Sequence, residues 1–465
     1  MQDTTHTILH SAKRFFSGTL LSRFTGLGRD ISLAYAFGAD SALAAFLVAF
    51  RFAHLLRRLL GEGAFQTAFI PTFEELRHES SQRAGRFFVD LYGALTLVLI
   101  AIIGFCLAGG SLLLGYADLS AGNAEIISLT LLMLPSLLFI CLFGLNASLL
   151  QCEKYYFLPA FAPTAFNLFW ILGALSLKGL TPEAAMPKLA LFINAACFCQ
   201  WLVTAPTTWN LVKNLGIKNA WKHLHPYAKD LSKLSGPLVL GMLGVGASQI
   251  NNALDAVFAR YASLEGPAYL WYAIRIQQLP LGLIGIALSG ALLPALSRAI
   301  KSDQSKEAIE SSDDPKAEKL EPETQNPSKF RHLLSTTSKN CFLLMLPMTV
   351  GMFLFGRFGI QLLYGHGDFD SSDVTATTYC LWGYALGLIP MALVLILAPG
   401  FYAQKNYRLP MQASIVSMLV NVALNSWFVF GLNWGPTSVA IATSLSAWLN
   451  YFWLAYAMKK QIINI

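Results

Sequence analysis

Arg23, Arg29, Arg51, Arg57, Arg58 and Arg275 all stand inside apolar stretches of this sequence. A guanidinium costs roughly 2.5–3.5 kcal/mol at the centre of a membrane helix, so a group of them needs a shared polar environment. Acidic residues at similar positions are few: Asp30, Glu62 and Asp255. The apolar part of the chain is therefore net positive and suited to an anion. The planar guanidinium fork bonds two oxygens at once, which matches phosphate. Residue chemistry alone thus points to a pyrophosphate or another acidic head group rather than a neutral sugar. A second group is polar without being basic. Asp255 follows Ser248, Gln249, Asn251 and Asn252, Asn421 and Asn425 lie one turn apart, and Thr443 follows in the next apolar run. A carboxylate, two amide carbonyls and a hydroxyl are hard oxygen ligands for Na⁺ or a proton-linked site. The same set serves equally well for interhelical hydrogen bonding.

Helical spacing orders the basic set. Arg51, His54, Arg58 and Glu62 follow one another at steps of three or four and share one helix face, with Glu62 a turn from Arg58. Arg57 is turned about 100° from that stripe. His54 in such a place is more often a satisfied interior histidine than a ligand. Arg23 and Arg29 do not align on an ideal helix, and a bend at Gly26 and Gly28 is expected to bring them together. Arg275 comes from the second half of the chain, with Gln278 one turn on.

The elements that must position these residues are membrane helices. Of the 465 residues, 13% are charged and 55% hydrophobic, where soluble domains carry roughly 25% charged. That excludes a soluble enzyme, a disulfide scaffold and a disordered regulator. The apolar runs divide into about twelve spans of roughly 20 residues or more: 15–37, 42–70, 85–110, 124–150, 158–177, 188–212, 235–259, 268–297, 339–363, 374–400, 409–432 and 437–458. Most of the 33 Lys and Arg fall in segments that share a side with the N-terminus, so both termini are expected to be cytoplasmic. The basic excess follows from this and does not imply nucleic acid. The stretch 301–330 is rich in Ser, Glu, Lys and Pro and reads as a disordered cytoplasmic linker.

Two landmark pairs recur. Gly63-Ala64-Phe65 leading to Pro71 resembles Ser289-Gly290-Ala291 leading to Pro294. Glu153-Lys154-Tyr155 leading to Leu158-Pro159 resembles Gln404-Lys405-Asn406 leading to Leu409-Pro410. The second pair is further apart than the first by about the length of the linker. The expected architecture is therefore an all-α polytopic membrane protein of two parallel six-helix bundles, 1–225 and 226–465, around a central cavity, which favours a transporter. No Walker A sequence is present, and the histidine pair at 223 and 225 lies in a basic loop and reads as solvated. The seven cysteines show no CxxC or metal spacing and read as reduced and structural. An enzyme is not expected.

Ser22-Arg23, Gly26-Leu27-Gly28-Arg29-Asp30, Phe37-Gly38-Ala39, Leu55-Leu56-Arg57-Arg58-Leu59, Glu62-Gly63-Ala64-Phe65 and Ala68-Phe69-Ile70-Pro71 together resemble the opening of the MurJ (MviN) family. Phe161-Ala162-Pro163, Leu292-Leu293-Pro294 and Leu397-Ala398-Pro399-Gly400-Phe401-Tyr402 extend the resemblance over nearly the whole chain. It implies a MATE-like fold of the MOP exporter superfamily in the bacterial inner membrane. It also implies a cargo, lipid II, flipped between leaflets by alternating access for peptidoglycan and cell wall synthesis. Cavity roles carry over to Arg23, Arg29, Arg58 and Arg275, and Arg57 and Glu62 match the same motif. Asp255, Asn421, Asn425 and Thr443, with the Val439 carbonyl, match the family's sodium site, and no cofactor beyond Na⁺ is expected. Partners are then lipid II, the bilayer and proteins of cell wall synthesis or division. Three positions depart from the pattern: Ala44 stands for a frequent Asp, Ala53-His54 for a Pro-Asn, and about twelve spans are counted where the family usually has fourteen. The rival readings are an exporter of another polyprenyl-linked oligosaccharide, a drug antiporter and a non-transporting scaffold. The positive interior disfavours the second, and the insertion cost of the arginines disfavours the third. A membrane glycosyltransferase is a weaker rival, because no outer loop carries paired catalytic carboxylates.

Overall fold

The computed structural model describes residues 5–55, 57, 64–217, 229–282, 292, 295–296, 298–300, 329–404 and 406–463. Among these, every regular element is a helix. In chain order they are α1 (Thr5–Phe37), α2 (Ser41–Ala53), α3 (Ala64–Glu79), α4 (Ser81–Tyr116), α5 (Ala121–Met133), α6 (Ser136–Cys152), α7 (Phe157–Ser176) and α8 (Pro182–Asn214). A short 3₁₀ turn, Lys229–Leu231, leads into α9 (Ser232–Ala262) and α10 (Gly266–Pro280). Then come α11 (Lys329–Tyr364), α12 (Ser371–Ala385), α13 (Leu388–Ala403), α14 (Arg408–Ser426) with a π-helical turn at Trp427–Gly431, and α15 (Thr437–Ile463).

Each expected apolar run is helical where it is described, but several runs are not single straight helices. The run 42–70 divides, because α2 ends at Ala53 and the chain resumes helical form in α3, which carries Pro71 in its interior and runs to Glu79. Between them Leu55 and Arg57 are helical, and 56 and 58–63 lie outside the described residues. The run 124–150 is α5 and α6, bent by 46°, and the run 374–400 is α12 and α13, bent by 40°. Length and composition mark five described helices as able to cross a bilayer, or up to seven when each bent pair counts as one span. That measure does not reach the expected count of twelve. Lys329 and Phe330, expected in the linker, begin α11. Residues 301–328, the 225/226 boundary and the histidine pair at 223 and 225 lie outside the described residues.

Close contacts divide the chain into two compact units. The first comprises Met1–Arg260 and Leu363–Ser371, and the second Tyr261–Leu362 and Ser372–Ile465. In the first, α1 packs along α7, α7 on α8, α8 on α6, and α2 on α5. Trp170 of α7 is fully buried and meets Phe46 and Phe50 of α2 and Phe166 edge to face, at centroid distances of 6.0, 4.8 and 5.5 Å. In the second unit, α15 packs on both α13 and α14. The two 36-residue helices, α4 and α11, present bare apolar side chains: Phe105 is 80% exposed and Leu354 70%. Such faces are stable only where the solvent is lipid.

The glycines of α1 do not break it. The helix is continuous from Thr5 to Phe37. Gly26 and Gly28 instead face α7, where an added Cβ would lie 3.5 Å from Asn167 Nδ2 and 3.7 Å from Ile171 Cδ1. Gly18 is tighter still, since a Cβ there would lie 2.9 Å from Ala160 Cβ and 3.1 Å from the Phe157 carbonyl. Small residues thus let α1 approach α7 backbone to backbone, the main attraction available between helices in lipid. At the far end of α1, residues 363–371 come back to the first unit. Asp368 N–H donates to the Tyr35 carbonyl at 3.2 Å, and a Cβ on Gly367, at φ +67°, would overlap that carbonyl. Lys178 caps the Tyr35 ring from 3.2 Å.

Gly18→Leu is expected to force α1 from α7 and destabilise the protein by about 2 kcal/mol. Gly104→Leu, where nothing lies within 4 Å, is expected to be neutral. Thermal unfolding of both variants in detergent checks the contrast.

Candidate functional site

Arg29 and Asp30 are adjacent on α1, and α7 supplies the rest of their surroundings. The Asp30 carboxylate accepts from Arg29 Nε at 3.0 Å and from Nη2 at 2.8 Å. Arg29 Nη1 donates to Asn167 Oδ1 at 3.3 Å, and the guanidinium lies 4.7 Å over the Trp170 ring. Asn167 also donates to the Ser22 carbonyl (3.1 Å) and Thr25 Oγ1 (3.2 Å), which fixes its amide. Arg29 is 9% exposed and Asp30 2%. This is a buried ion pair on an aromatic floor, with the charge held by a carboxylate, an amide and a π face. Arg23, six residues earlier, is exposed. On the continuous α1 the two arginines occupy different surroundings.

Of the stripe expected along the second span, Arg51 and His54 lie among the described residues. Arg51 is half-buried near the end of α2 and donates to the Asn252 carbonyl of α9 at 2.6 Å. His54 closes α2 and is buried, with Nδ1 3.1 Å from the Phe50 carbonyl and Nε2 3.2 Å from Ser136 Oγ. It is the satisfied interior histidine that its type suggests. Arg57 is half-buried just beyond. Arg58 and Glu62 lie outside the described residues.

In the second unit, Arg275 of α10 is half-buried and lies 4.3 Å over the ring of Trp271, one turn earlier on the same helix. Gln278, expected beside it, is exposed. The neighbouring Gln277 is the buried amide, donating to the Tyr384 carbonyl at 3.1 Å and toward Met391 Sδ at 3.3 Å. Each unit thus places an arginine over an indole. Trp271 was legible from its i, i+4 spacing to Arg275. Nothing local in the sequence links Asn167 and Trp170 to Arg29.

The polar set fares differently. Asn425 Nδ2 donates to Asn421 Oδ1 at 2.8 Å, Asn421 Nδ2 donates to Thr443 Oγ1 at 3.4 Å, and Thr443 Oγ1 donates to the Val439 carbonyl at 2.9 Å. Both asparagines are fully buried. Four of the five expected sodium ligands therefore form one linked cluster in the second unit. Amide, hydroxyl and carbonyl oxygens held this close are a donor set that suits a hard monovalent cation. The fifth, Asp255, is buried on α9 in the first unit, where Asn251 Nδ2 donates to it at 3.3 Å. No group of three or more His, Cys, Asp or Glu with metal-binding geometry occurs among the described residues.

Solved membrane transporters share this fold. An inward-facing multidrug resistance MATE family transporter of the MOP superfamily superimposes with a TM-score of 0.67 at 15% identity, covering 97% of this chain and 98% of that one. A structure described as "Lipid II flippase MurJ, inward closed conformation" superimposes with a TM-score of 0.77 at 24% identity, covering 96% and 87%. The fold is thus that of the MATE-like exporters. Within that class, the profile of the family "Lipid II flippase MurJ" matches residues 33–464. The "Probable lipid II flippase MurJ" of Chlamydia trachomatis serovar D is 34% identical, over 99% of this chain and 80% of its own. The "Lipid II flippase MurJ" of Burkholderia cenocepacia is 29% identical, over 95% and 82%. The chain belongs to the MurJ family.

Asp30→Ala leaves the Arg29 charge buried without its carboxylate and is expected to destabilise the protein by about 3 kcal/mol. Arg29→Leu with Asp30→Ala removes both charges and is expected to recover part of that loss. Thermal unfolding of the single and double variants gives the comparison.

Proposed function

We propose that this chain is a flippase that moves polyprenyl-pyrophosphate-linked peptidoglycan precursor, lipid II, from the cytoplasmic to the outer leaflet by alternating access. The match of the family profile from residue 33 to residue 464 carries the reading. The bare apolar helices and the interior arginines are what such a task needs. The chain is a multi-pass protein of the inner membrane, and its basic loops favour both termini inside. Its work is transport and not bond chemistry, so no side chain need act as an acid, base or nucleophile.

Arg23 and Arg275 are assigned to the pyrophosphate. Arg23 is exposed on α1, and Arg275 is half-buried with its guanidinium steered by Trp271. Arg29, neutralised by Asp30, is assigned chiefly to holding α1 against Asn167 and Trp170 of α7. An inside-negative membrane potential, worth roughly 2.3 kcal/mol per charge per 100 mV, favours outward passage of the anionic head group. It also favours inward return of the emptied, positive binding residues. The cluster of Asn421, Asn425, Val439 and Thr443 is assigned to Na⁺, whose binding would brace α14 against α15.

Accessibility of lipid II at the outer leaflet, followed in cells depleted of their own flippase, tests the function. The chain is expected to restore access, and failure to do so at normal expression counts against it. Arg275→Ala and Arg23→Ala are each expected to lose complementation, with Arg275→Lys intermediate because an ammonium lacks the bidentate fork. Collapse of the membrane potential is expected to slow flipping, and an unchanged rate would remove the voltage step. For the cation, NaCl is expected to raise Tm above equimolar choline chloride in the parent chain but not in Asn425→Leu with Thr443→Val.

A further inference from the structure

The two bends, at α5–α6 and α12–α13, are held in the same way. A bend frees backbone carbonyls, and within lipid each carbonyl left without a donor costs several kcal/mol. In the first unit, Pro135 removes an N–H at the bend. The Leu132 carbonyl there accepts from Asn194 Nδ2 of α8 at 2.8 Å, and the Met133 carbonyl accepts from Ser136 Oγ at 2.6 Å. That hydroxyl meets His54 Nε2 at 3.2 Å, while His54 Nδ1 is turned to Phe50. In the second unit, the Gly383 carbonyl accepts from Ser444 Oγ of α15 at 2.6 Å, the Tyr384 carbonyl from Gln277 Nε2 of α10 at 3.1 Å, and the Leu386 carbonyl from Trp448 Nε1 at 3.0 Å.

The internal repeat gives this likeness a register. The offset that aligns Pro71 with Pro294 places His54 opposite Gln277, and the offset that aligns Pro159 with Pro410 places Met133 opposite Tyr384. Equivalent positions therefore lie at equivalent bends: Gln277 donates directly to the Tyr384 carbonyl, and His54 fixes Ser136, whose oxygen lies 2.6 Å from the Met133 carbonyl. Donors from the last helix of each half, Asn194 and Ser444, complete both clamps. Chance burial of two polar residues would not reproduce both the register and the target.

We propose that His54 and Gln277 are a matched pair of positioning residues. In each repeat they hold the bend of the fourth membrane segment, and the held bend is required for the transport cycle. Neither touches cargo in this scheme. Each acts through the backbone of a bent helix, so a residue able to bond at the bend should replace either one.

Spin labels on α5 and α6, and separately on α12 and α13, report each bend in the full chain in nanodiscs. His54→Leu and Gln277→Met are expected to broaden or shift the distance across the bend of their own unit. Lipid II accessibility should fall by about tenfold, the scale of one lost hydrogen bond to a buried group. The reciprocal changes, His54→Gln and Gln277→His, are expected to keep the parental distances and at least half the parental flipping. Gln277→Met keeps side-chain length and removes the amide, so it decides the matter where His54→Leu does not fold. Unchanged distances in Gln277→Met, or a His54→Gln variant indistinguishable from His54→Leu, would overturn the pairing. The transport measurement rests on the proposed flippase function and the distance measurement does not. A parent chain that fails to flip lipid II therefore counts against that function, while the distances still decide the clamp.

Discussion

A helix in lipid has no water to bond its carbonyls, so wherever it bends another side chain must take them. That constraint shapes both units. Asn194, Ser136 and His54 serve one bend, and Gln277, Ser444 and Trp448 serve the other. Most of these contacts end on backbone carbonyls, whereas the Asn421–Asn425–Thr443 cluster is linked chiefly side chain to side chain. The bends in turn depend on the close packing around them. Gly387 lies where a Cβ would come within 2.6 Å of Ser444 Oγ, and Gly383 where one would come within 2.9 Å of Ala440. Only small residues let α15 come near enough to donate.

The charges obey the same logic. A guanidinium in an apolar interior needs a carboxylate, an amide or a π face, and the arginines differ in which they receive. Arg29 has all three, Arg51 a helix carbonyl, and Arg275 an indole. These differences sort residues that look alike in sequence. Arg29 is the most fully enclosed of them, and Arg51 and Arg275 are half-buried.

Much of this was legible in the sequence, for reasons particular to each element. The apolar runs located the helices because hydropathy is what lipid selects. The asparagine pair one turn apart located its own cluster, since i, i+4 spacing fixes a shared face. The bend at Pro135 has a residue that announces it, and so has the bend before Leu388, where Gly387 stands and Pro390 lacks the N–H that would bond the Leu386 carbonyl. The α1 glycines misled the sequence reading for a related reason. Glycine in a membrane helix permits either a kink or a close neighbour, and only the position of α7 decides between them.

The short stretch 363–371 joins two helices of the second unit yet packs with the first, its backbone bonded to the end of α1 at Tyr35. Duplication produces two copies that are at first interchangeable. A loop lent by one copy to the other ends that equivalence, because the first copy alone then lacks the piece that covers the Tyr35 carbonyl. Residues 1–260 synthesised alone would expose a helix end that residues 363–371 conceal in the complete chain.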